Sequence, residues 1–156
     1  MGKQFKQIEP IHREFILQQQ IFFHASAAPH GRVNVSPKDR ASLRILDSNS
    51  VIYLDMTGSG NETAAHLRTN GRLTLMFCAL SGPPMILRLY GRARVLARHS
   101  NAYISLLASA FEGIEPPGAR QMMMLEIDLV QTSCGYNVPL FDYAGERSTL
   151  RQWTES

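Results

Sequence analysis

The sequence has few cysteines, few lysines and no long apolar segment. Two cysteines, Cys78 and Cys134, are too few for a disulfide framework or a zinc site, and we expect both to be small buried residues, although Cys134 precedes a glycine and could be a reactive thiol. No apolar run approaches the roughly 18 residues that a transmembrane helix needs, so no membrane association is predicted. Residues 1–10 are polar and lack the apolar segment of a secretory signal, and we therefore expect a cytoplasmic protein.

Charge of one sign is not concentrated anywhere in the chain. The 16 Lys and Arg residues against 13 Asp and Glu give a net charge of +3 without any block of like charge, so a small anionic ligand is better supported than nucleic acid. The 5 histidines show neither H-x-x-x-H nor H-E-x-x-H spacing, and no metal site is predicted. The absence of a G-x-S-x-G motif removes the usual signal of a hydrolase nucleophile.

The length of 156 residues, without an internal repeat or a low-complexity linker, predicts one domain over residues 1–156. Apolar periodicity between turn residues predicts strands at 21–27, 33–36, 43–46, 51–54, 73–79, 85–96 and 122–130, with helices after Pro10 and at 61–69, 100–110 and 146–153. Parallel strands would need a crossover helix between each pair, and most gaps are too short for one. The sequence therefore predicts a mainly β fold with peripheral helices (α+β), built as an antiparallel barrel. Gly91 predicts a bulge, and Pro37 either ends its strand or places it at a sheet edge.

The segment from Leu54 to Thr63 joins a buried strand to a helix through a loop of small polar residues. The first turn of a helix exposes unpaired N–H groups and the positive end of the helix dipole, where anions bind. Ser59, Asn61 and Thr63 add side-chain donors, and the glycines let a ligand approach the backbone, so the segment predicts a phosphate site. The alternative is an ordinary capped helix, because Ser59 with Glu62 three residues later is typical of a capping box. The spacing matches neither a Walker A loop nor a Rossmann fingerprint.

A second polar face lies on the predicted hairpin strand. Alternation places Asn34 and Ser36 on one face, opposite Val33 and Val35, and Lys38 follows just beyond. Two donors and a cation on one face could meet a planar heterocycle and its phosphate. The alternative is the solvated face of a hairpin.

At these two segments the chain resembles the pyridoxamine 5′-phosphate oxidase-like flavoproteins, the FMN-binding split-barrel family. The resemblance covers residues 11–135, leaving 136–156 as a tail, and it rests on the segments Gly31–Lys38, Leu54–Leu67, Leu75–Ala79 and Leu87–Val95. A poorly characterised branch of the family has a similar tail, here Ser133–Pro139. The resemblance implies a six-stranded antiparallel split barrel that forms a homodimer and holds FMN in two equivalent clefts between the subunits.

The resemblance also implies which residues hold the cofactor. Those that would line the flavin and its ribityl chain are Asn34, Val35, Ser36, Pro37 and Lys38. Those that would lie beside it are Asp55, Met56 and Thr57. Those that would hold the phosphate are Ser59, Gly60, Asn61, Glu62 and Thr63.

Two departures from the family pattern bear on the cofactor and the substrate. In the true oxidase the turn aligned with Glu62 and Thr63 carries an Arg-Lys pair that clamps the FMN phosphate, so here Lys38 and the helix N-terminus must supply the positive field. Relatives with altered phosphate sites bind deazaflavin F420 or heme, and both are alternative cofactors. The true oxidase also ends in a basic segment that binds its substrate, and residues 141–147 offer no counterpart, so a vitamin B6 oxidase is not expected.

By resemblance, the chain is a flavin-dependent oxidoreductase that transfers a hydride or electrons through FMN to an unknown small molecule. FMN performs that chemistry, so no side chain needs to act as acid or base, and no catalytic residue is assigned. The alternatives are a flavin-binding carrier or sensor without turnover, and a split barrel that has lost its cofactor and serves as an interaction dimer. The apolar strands 73–80 and 122–130 exceed what the inner face of one small barrel can bury, which also favours a homodimer.

Overall fold

The computed structural model describes residues 2–58 and 60–155. Its strands are β1 (Lys3–Phe5), β2 (Ile21–Ser26), β3 (Asn34–Asp39), β4 (Leu43–Asp47), β5 (Ser50–Met56), β6 (Arg72–Cys78), β7 (Ile86–Ala97) and β8 (Ala119–Ser133). Its helices are α1 (Pro10–Gln18), α2 (Glu62–Asn70), α3 (Asn101–Ala110) and α4 (Thr149–Glu155). A 3₁₀ turn at Arg40–Ser42 joins β3 to β4.

Local sequence signals fix the ends of the helices. α1 begins at Pro10, whose missing N–H costs nothing in a first turn, and the N–H of Glu9 donates to His12 Nδ1 over 3.1 Å. α2 ends at Gly71, which takes the left-handed conformation (φ 68°) that favours glycine. α3 follows Ser100, whose hydroxyl accepts a hydrogen bond from the first turn. The predicted cap at residues 70–71 and the predicted cap at Ser100 are both confirmed.

The described strands form one antiparallel sheet in the order β3-β2-β6-β7-β8-β5-β4, with β1 beside the end of β8. β3 and β4 are the two edges of this sheet, yet only residues 40–42 separate them in the chain. Four Cα-to-Cα steps span at most about 14 Å. The sheet therefore curls until its edges approach each other at that end, which gives the half-barrel of a split-barrel fold.

The strand β5 is buried on both faces and divides the hydrophobic core in two. Val51 and Tyr53 point into the main core inside the curl. Ile52, Leu54 and Met122 belong to a second cluster on the outer face, where the residues of α3 cover them. Part of the apolar surface of β8 is thus covered by α3 of the same chain.

Gly91 on β7 lies opposite a bulge in β8, where Asp128 is the extra residue. The register of the two strands shifts between Tyr90 and Gly91. A Cβ atom at this position would lie 1.9 Å from the carbonyl oxygen of Glu126, which no backbone could tolerate. A bulge is confirmed here, although its extra residue lies on β8, and close backbone approach is the reason that glycine occupies position 91.

The mainly β antiparallel fold class is confirmed, and each predicted strand is present. The count of six strands implied by the resemblance is too low, because β4 and the three-residue β1 also join the sheet. β1 has no alternation that would reveal it from the sequence; it pairs with the stretch of β8 that extends beyond β5. Pro37 lies within β3, on an edge where its missing N–H is tolerated. No helix in the described ranges is long and apolar enough to cross a membrane.

Candidate functional site

The two predicted site segments meet where β5 ends and α2 begins. Lys38 Nζ on β3 donates to Asp55 Oδ1 on β5 over 2.8 Å. Asn34 Nδ2 on β3 donates to Thr63 Oγ1 on α2 over 3.1 Å. Because β3 and β5 lie far apart in the strand order, it is the curl of the sheet that brings these residues together.

Asp55 is the centre of the charged part of this site. Its buried carboxylate accepts from Lys38 at one oxygen and from Arg120 Nη2 and Gln121 Nε2 at the other, each over 2.8 Å. Burial raises the pKa of this carboxyl, but the hydrogen bonds and charge of its partners outweigh that effect and lower it, so the group is ionised at neutral pH. Two cations around one carboxylate leave one positive charge in excess.

The first turn of α2 is not capped by its N-cap side chain. Asn61 occupies the N-cap position, but its Oδ1 accepts from Gln121 Nε2 over 2.8 Å instead of from the helix. Arg120 Nη2 donates to the carbonyl of Gly60 over 3.0 Å, and Arg120 Nε is buried with no hydrogen-bond partner among the described residues. The junction therefore presents N–H donors and the positive end of a helix dipole to an anion.

A buried chain of hydrogen bonds runs behind the junction. Tyr53 Oη lies 2.6 Å from His24 Nδ1, and His24 Nε2 lies 3.4 Å from Thr63 Oγ1. Ser26 Oγ lies 3.0 Å from Thr63 Oγ1 and 3.0 Å from His66 Nδ1. These contacts tie β2 and β5 to the first turns of α2.

His24 is neutral and its tautomer is fixed by Tyr53. The phenol is fully buried, and the described residues offer its hydrogen no acceptor other than His24 Nδ1, so the imidazole carries its own hydrogen on Nε2. Burial, together with the positive charge of Lys38, lowers the pKa of His24 to about 4. The Thr63 hydroxyl then accepts from His24 and Asn34 and must donate to Ser26, so its hydrogen is already committed.

The strand β3 turns its polar side chains inward and its apolar ones outward. Asn34, Ser36 and Lys38 are half-buried, whereas Val33 and Val35 are 67% and 62% exposed. The polar face predicted by alternation is present, and it packs towards α2 and β5 instead of facing solvent. An apolar strip on an edge strand is left uncovered.

A cavity of about 920 Å³ lies beside this junction, and three of the predicted site residues line it. Pro37, Lys38 and Met56 line it, together with the tail from Phe141 to Arg147. The N–H of Thr57 donates to the carbonyl of Gly118 over 2.7 Å, which fixes the end of β5. A cavity of this size suits a small organic molecule. Ser59 lies outside the described residues, so its phosphate role and its capping box with Glu62 stay predictions.

The sequence did not indicate several polar residues of the site, namely His24, Ser26, Tyr53, Arg120 and Gln121. Two of them, His24 and Ser26, are spaced as alternate residues of β2, which is a weak signal of a shared face. Arg120 and Gln121 stand just before the predicted last strand, which in fact begins at Ala119. Their contact with Asp55 joins residues 65 and 66 positions apart, and no local pattern shows such a pairing.

Comparisons with known proteins agree with this fold. The family model described as Pyridoxamine 5′-phosphate oxidase matches residues 8–134. A pyridoxamine 5′-phosphate oxidase family protein of Aspergillus flavus, ustO, is 40% identical over 141 residues, which cover 88% of this chain and 56% of that protein. The chain therefore spans little more than half the length of this relative.

Two solved structures show the same fold at low sequence identity. A pyridoxamine 5′-phosphate oxidase-related, FMN-binding protein of Nostoc punctiforme has a TM-score of 0.54 and 14% identity, covering 72% of this chain and 73% of its own. HutZ, a heme storage protein of Vibrio cholerae, has a TM-score of 0.52 and 17% identity, covering 79% of this chain and 93% of its own. The curled antiparallel sheet and these matches define a split-barrel fold. The chain belongs to the pyridoxamine 5′-phosphate oxidase family.

Proposed function

We propose that the chain binds FMN, with the phosphate at the start of α2, and uses it as an oxidoreductase on a small molecule. The observation that carries this proposal is the uncapped first turn of α2, where Asn61 is held by Gln121 and leaves the helix N–H groups to a ligand. A phosphate is the part of FMN that such donors would hold. The fit is supported by the buried, unpartnered Nε of Arg120 beside the same loop.

In this proposal the protein binds and orients the cofactor, and bound FMN supplies the hydride or electron transfer. The end of β5, with Met56 and Thr57, and the strand from Asn34 to Lys38 would line the flavin and its ribityl chain. Met56, Pro37 and Lys38 also line the adjoining cavity, which gives a small-molecule substrate a place next to the cofactor. No described acid or base is required for the transfer, in keeping with the absence of a recognisable catalytic motif.

We also propose that two copies complete the site. Val33, just before the edge strand β3, and Val35 within it expose apolar side chains next to the proposed cleft, and a monomer would leave them in water. Two-fold dimers are the commonest soluble oligomers, so a second copy related by a two-fold axis is the simplest cover. The cofactor clefts would then lie between the subunits.

The test is to purify the protein and identify what it carries. Mass spectrometry of the ligand released from the native protein should show FMN, and fluorescence titration should show saturable FMN binding. F420 and hemin are titrated in parallel, because a protein that binds either of them and rejects FMN contradicts the proposal. Reduction of the bound flavin by NADH or NADPH then separates an oxidoreductase from a carrier or sensor, which would hold FMN without turnover.

A further inference from the structure

The proposed phosphate site needs a cation, and the structure offers two that share one carboxylate. Lys38 occupies Asp55 Oδ1 and Arg120 occupies Asp55 Oδ2, both at 2.8 Å. The side chains are similarly exposed, at 21% for the lysine and 25% for the arginine. Charge and exposure therefore do not distinguish them, and the remaining contacts must.

Of the two cations, Arg120 is the one that contacts the loop before α2, where the phosphate is proposed to bind. Its Nη2 donates both to Asp55 and, over 3.0 Å, to the carbonyl of Gly60, one residue before the N-cap of α2. Lys38 has no hydrogen bond to that loop within the described residues; its ammonium is directed to Asp55 from β3. The guanidinium is thus fixed at two points beside the helix start.

The guanidinium also keeps an unused donor there. Arg120 Nε–H is buried, and the described part of the chain provides it with no acceptor. A buried donor without an acceptor is destabilising, and an incoming anion oxygen would remove that cost. The planar fork of arginine suits phosphate oxygens, whereas lysine offers a point charge.

Asp55 and Gln121 together orient Arg120 and keep the start of α2 uncapped. The carboxylate accepts from Arg120 and from Gln121, which fixes the direction of the guanidinium. The second hydrogen of the Gln121 amide goes to Asn61 Oδ1, which keeps the N-cap side chain away from the helix N–H groups. One buried acid therefore positions the cation and, through Gln121, leaves the helix start uncapped.

We infer that Arg120, aligned by Asp55, is the residue that contacts the cofactor phosphate and sets the preference for FMN over riboflavin. Asp55 acts as a positioning residue through Arg120 and Gln121. This inference rests on the proposed function, since it assigns the anion contact of the same site. It transfers the role first predicted for Lys38 to a residue 82 positions further along the chain.

Two variants with matched effects on Asp55 test the inference. Arg120→Met and Lys38→Met each remove one cation from the same carboxylate. A loss of flavin affinity that both variants share is therefore due to the change at Asp55. A difference between the two variants in FMN affinity is due to the phosphate contact. We expect Arg120→Met to weaken FMN by about 10- to 150-fold, the range for one charge-assisted hydrogen bond. Riboflavin, which has no phosphate, should bind this variant as it binds the wild type. Lys38→Met should change both flavins by the same factor.

A third variant serves as a conservative control. Arg120→Lys keeps the charge beside Asp55 but lacks the Nε–H donor and the fork, so its ratio of FMN to riboflavin affinity should fall between those of Arg120→Met and the wild type. Thermal unfolding and far-ultraviolet circular dichroism confirm that each variant is folded.

The wild type separates the two proposals before any variant is made. If it binds no flavin, the proposed function fails and the inference fails with it. If it binds FMN and riboflavin equally well, FMN binding stands and the phosphate contact is refuted. If the ratio of affinities changes in Lys38→Met and not in Arg120→Met, FMN binding again stands and the assignment to Arg120 is overturned.

Discussion

His24 makes the stability of the fold depend on pH between about 6.5 and 4. Its pKa is lowered from 6.5 to about 4 by burial and by the charge of Lys38, so the unfolded chain takes up a proton at a higher pH than the folded chain. The stability present above pH 6.5 is therefore lost as the pH falls towards 4. For one group with these two pKa values, the free energy of unfolding should fall by about 2 kcal/mol between pH 7 and pH 5.

This fall can be measured by urea unfolding at pH 7 and pH 5, at a fixed protein concentration. His24→Gln keeps an acceptor for Tyr53 and a donor for Thr63 but cannot titrate, so its loss of stability should be smaller than that of the wild type by about 2 kcal/mol. His30→Gln, at an exposed turn, should match the wild type. Carboxylates such as Glu115, whose pKa is lowered to about 2, contribute mainly below pH 5 and are common to all three proteins. Equal losses in the wild type and in His24→Gln would refute the neutral, buried imidazole.

Three further expectations follow from the fold and the site. Gly91→Ala should lower the free energy of unfolding by roughly 1–3 kcal/mol or more, because its Cβ would meet a backbone oxygen, whereas Gly58→Ala points into open space and should change stability little in the same urea titration. Glu62→Arg should tighten FMN up to about fivefold, with a gain that shrinks in added salt and is absent for riboflavin; equal effects on the two flavins would place the phosphate elsewhere. Light scattering should give a mass near twice 17.5 kDa at micromolar concentration, and a flavin-bound monomer would contradict the dimer.

Much of the architecture was predictable because local sequence patterns determine it. Alternation and turn residues located the strands, and Gly71 and Ser100 located helix ends, since each signal acts within a few residues. β1 was missed because its three residues carry no periodicity and it forms only when β8 supplies an edge. The orientation of β3 could not be predicted from the sequence. Alternation shows that Asn34 and Val35 lie on opposite faces of the strand, but the curl of the sheet determines which of them faces inward.

The candidate site was predictable in part for the same reason. Asp55 lies near the end of strand β5 and Asn61 in the loop after it, and the small polar residues of that loop predict an anion site before a helix. Arg120 and Gln121, which determine what those two residues do, come from a strand more than 55 positions later. A single sequence carries no local signal of such a pairing, so sequence analysis predicts Lys38 as the main cation, whereas the contacts in the structure favour Arg120.

The placement of β8 has a consequence for how the molecule is assembled during synthesis. β8 pairs with β7 along one side and with β5 and β1 along the other, so it is the strand that joins β3-β2-β6-β7 to β5-β4. Before residues 119–133 are synthesised, β5 and β7 each lack the strand that pairs with one of their edges in the folded sheet. Contacts over such sequence separations form slowly, and open edges in the meantime can pair with other chains. Among the described strands, the last in chain order is thus the one that joins the two groups of strands into a single sheet.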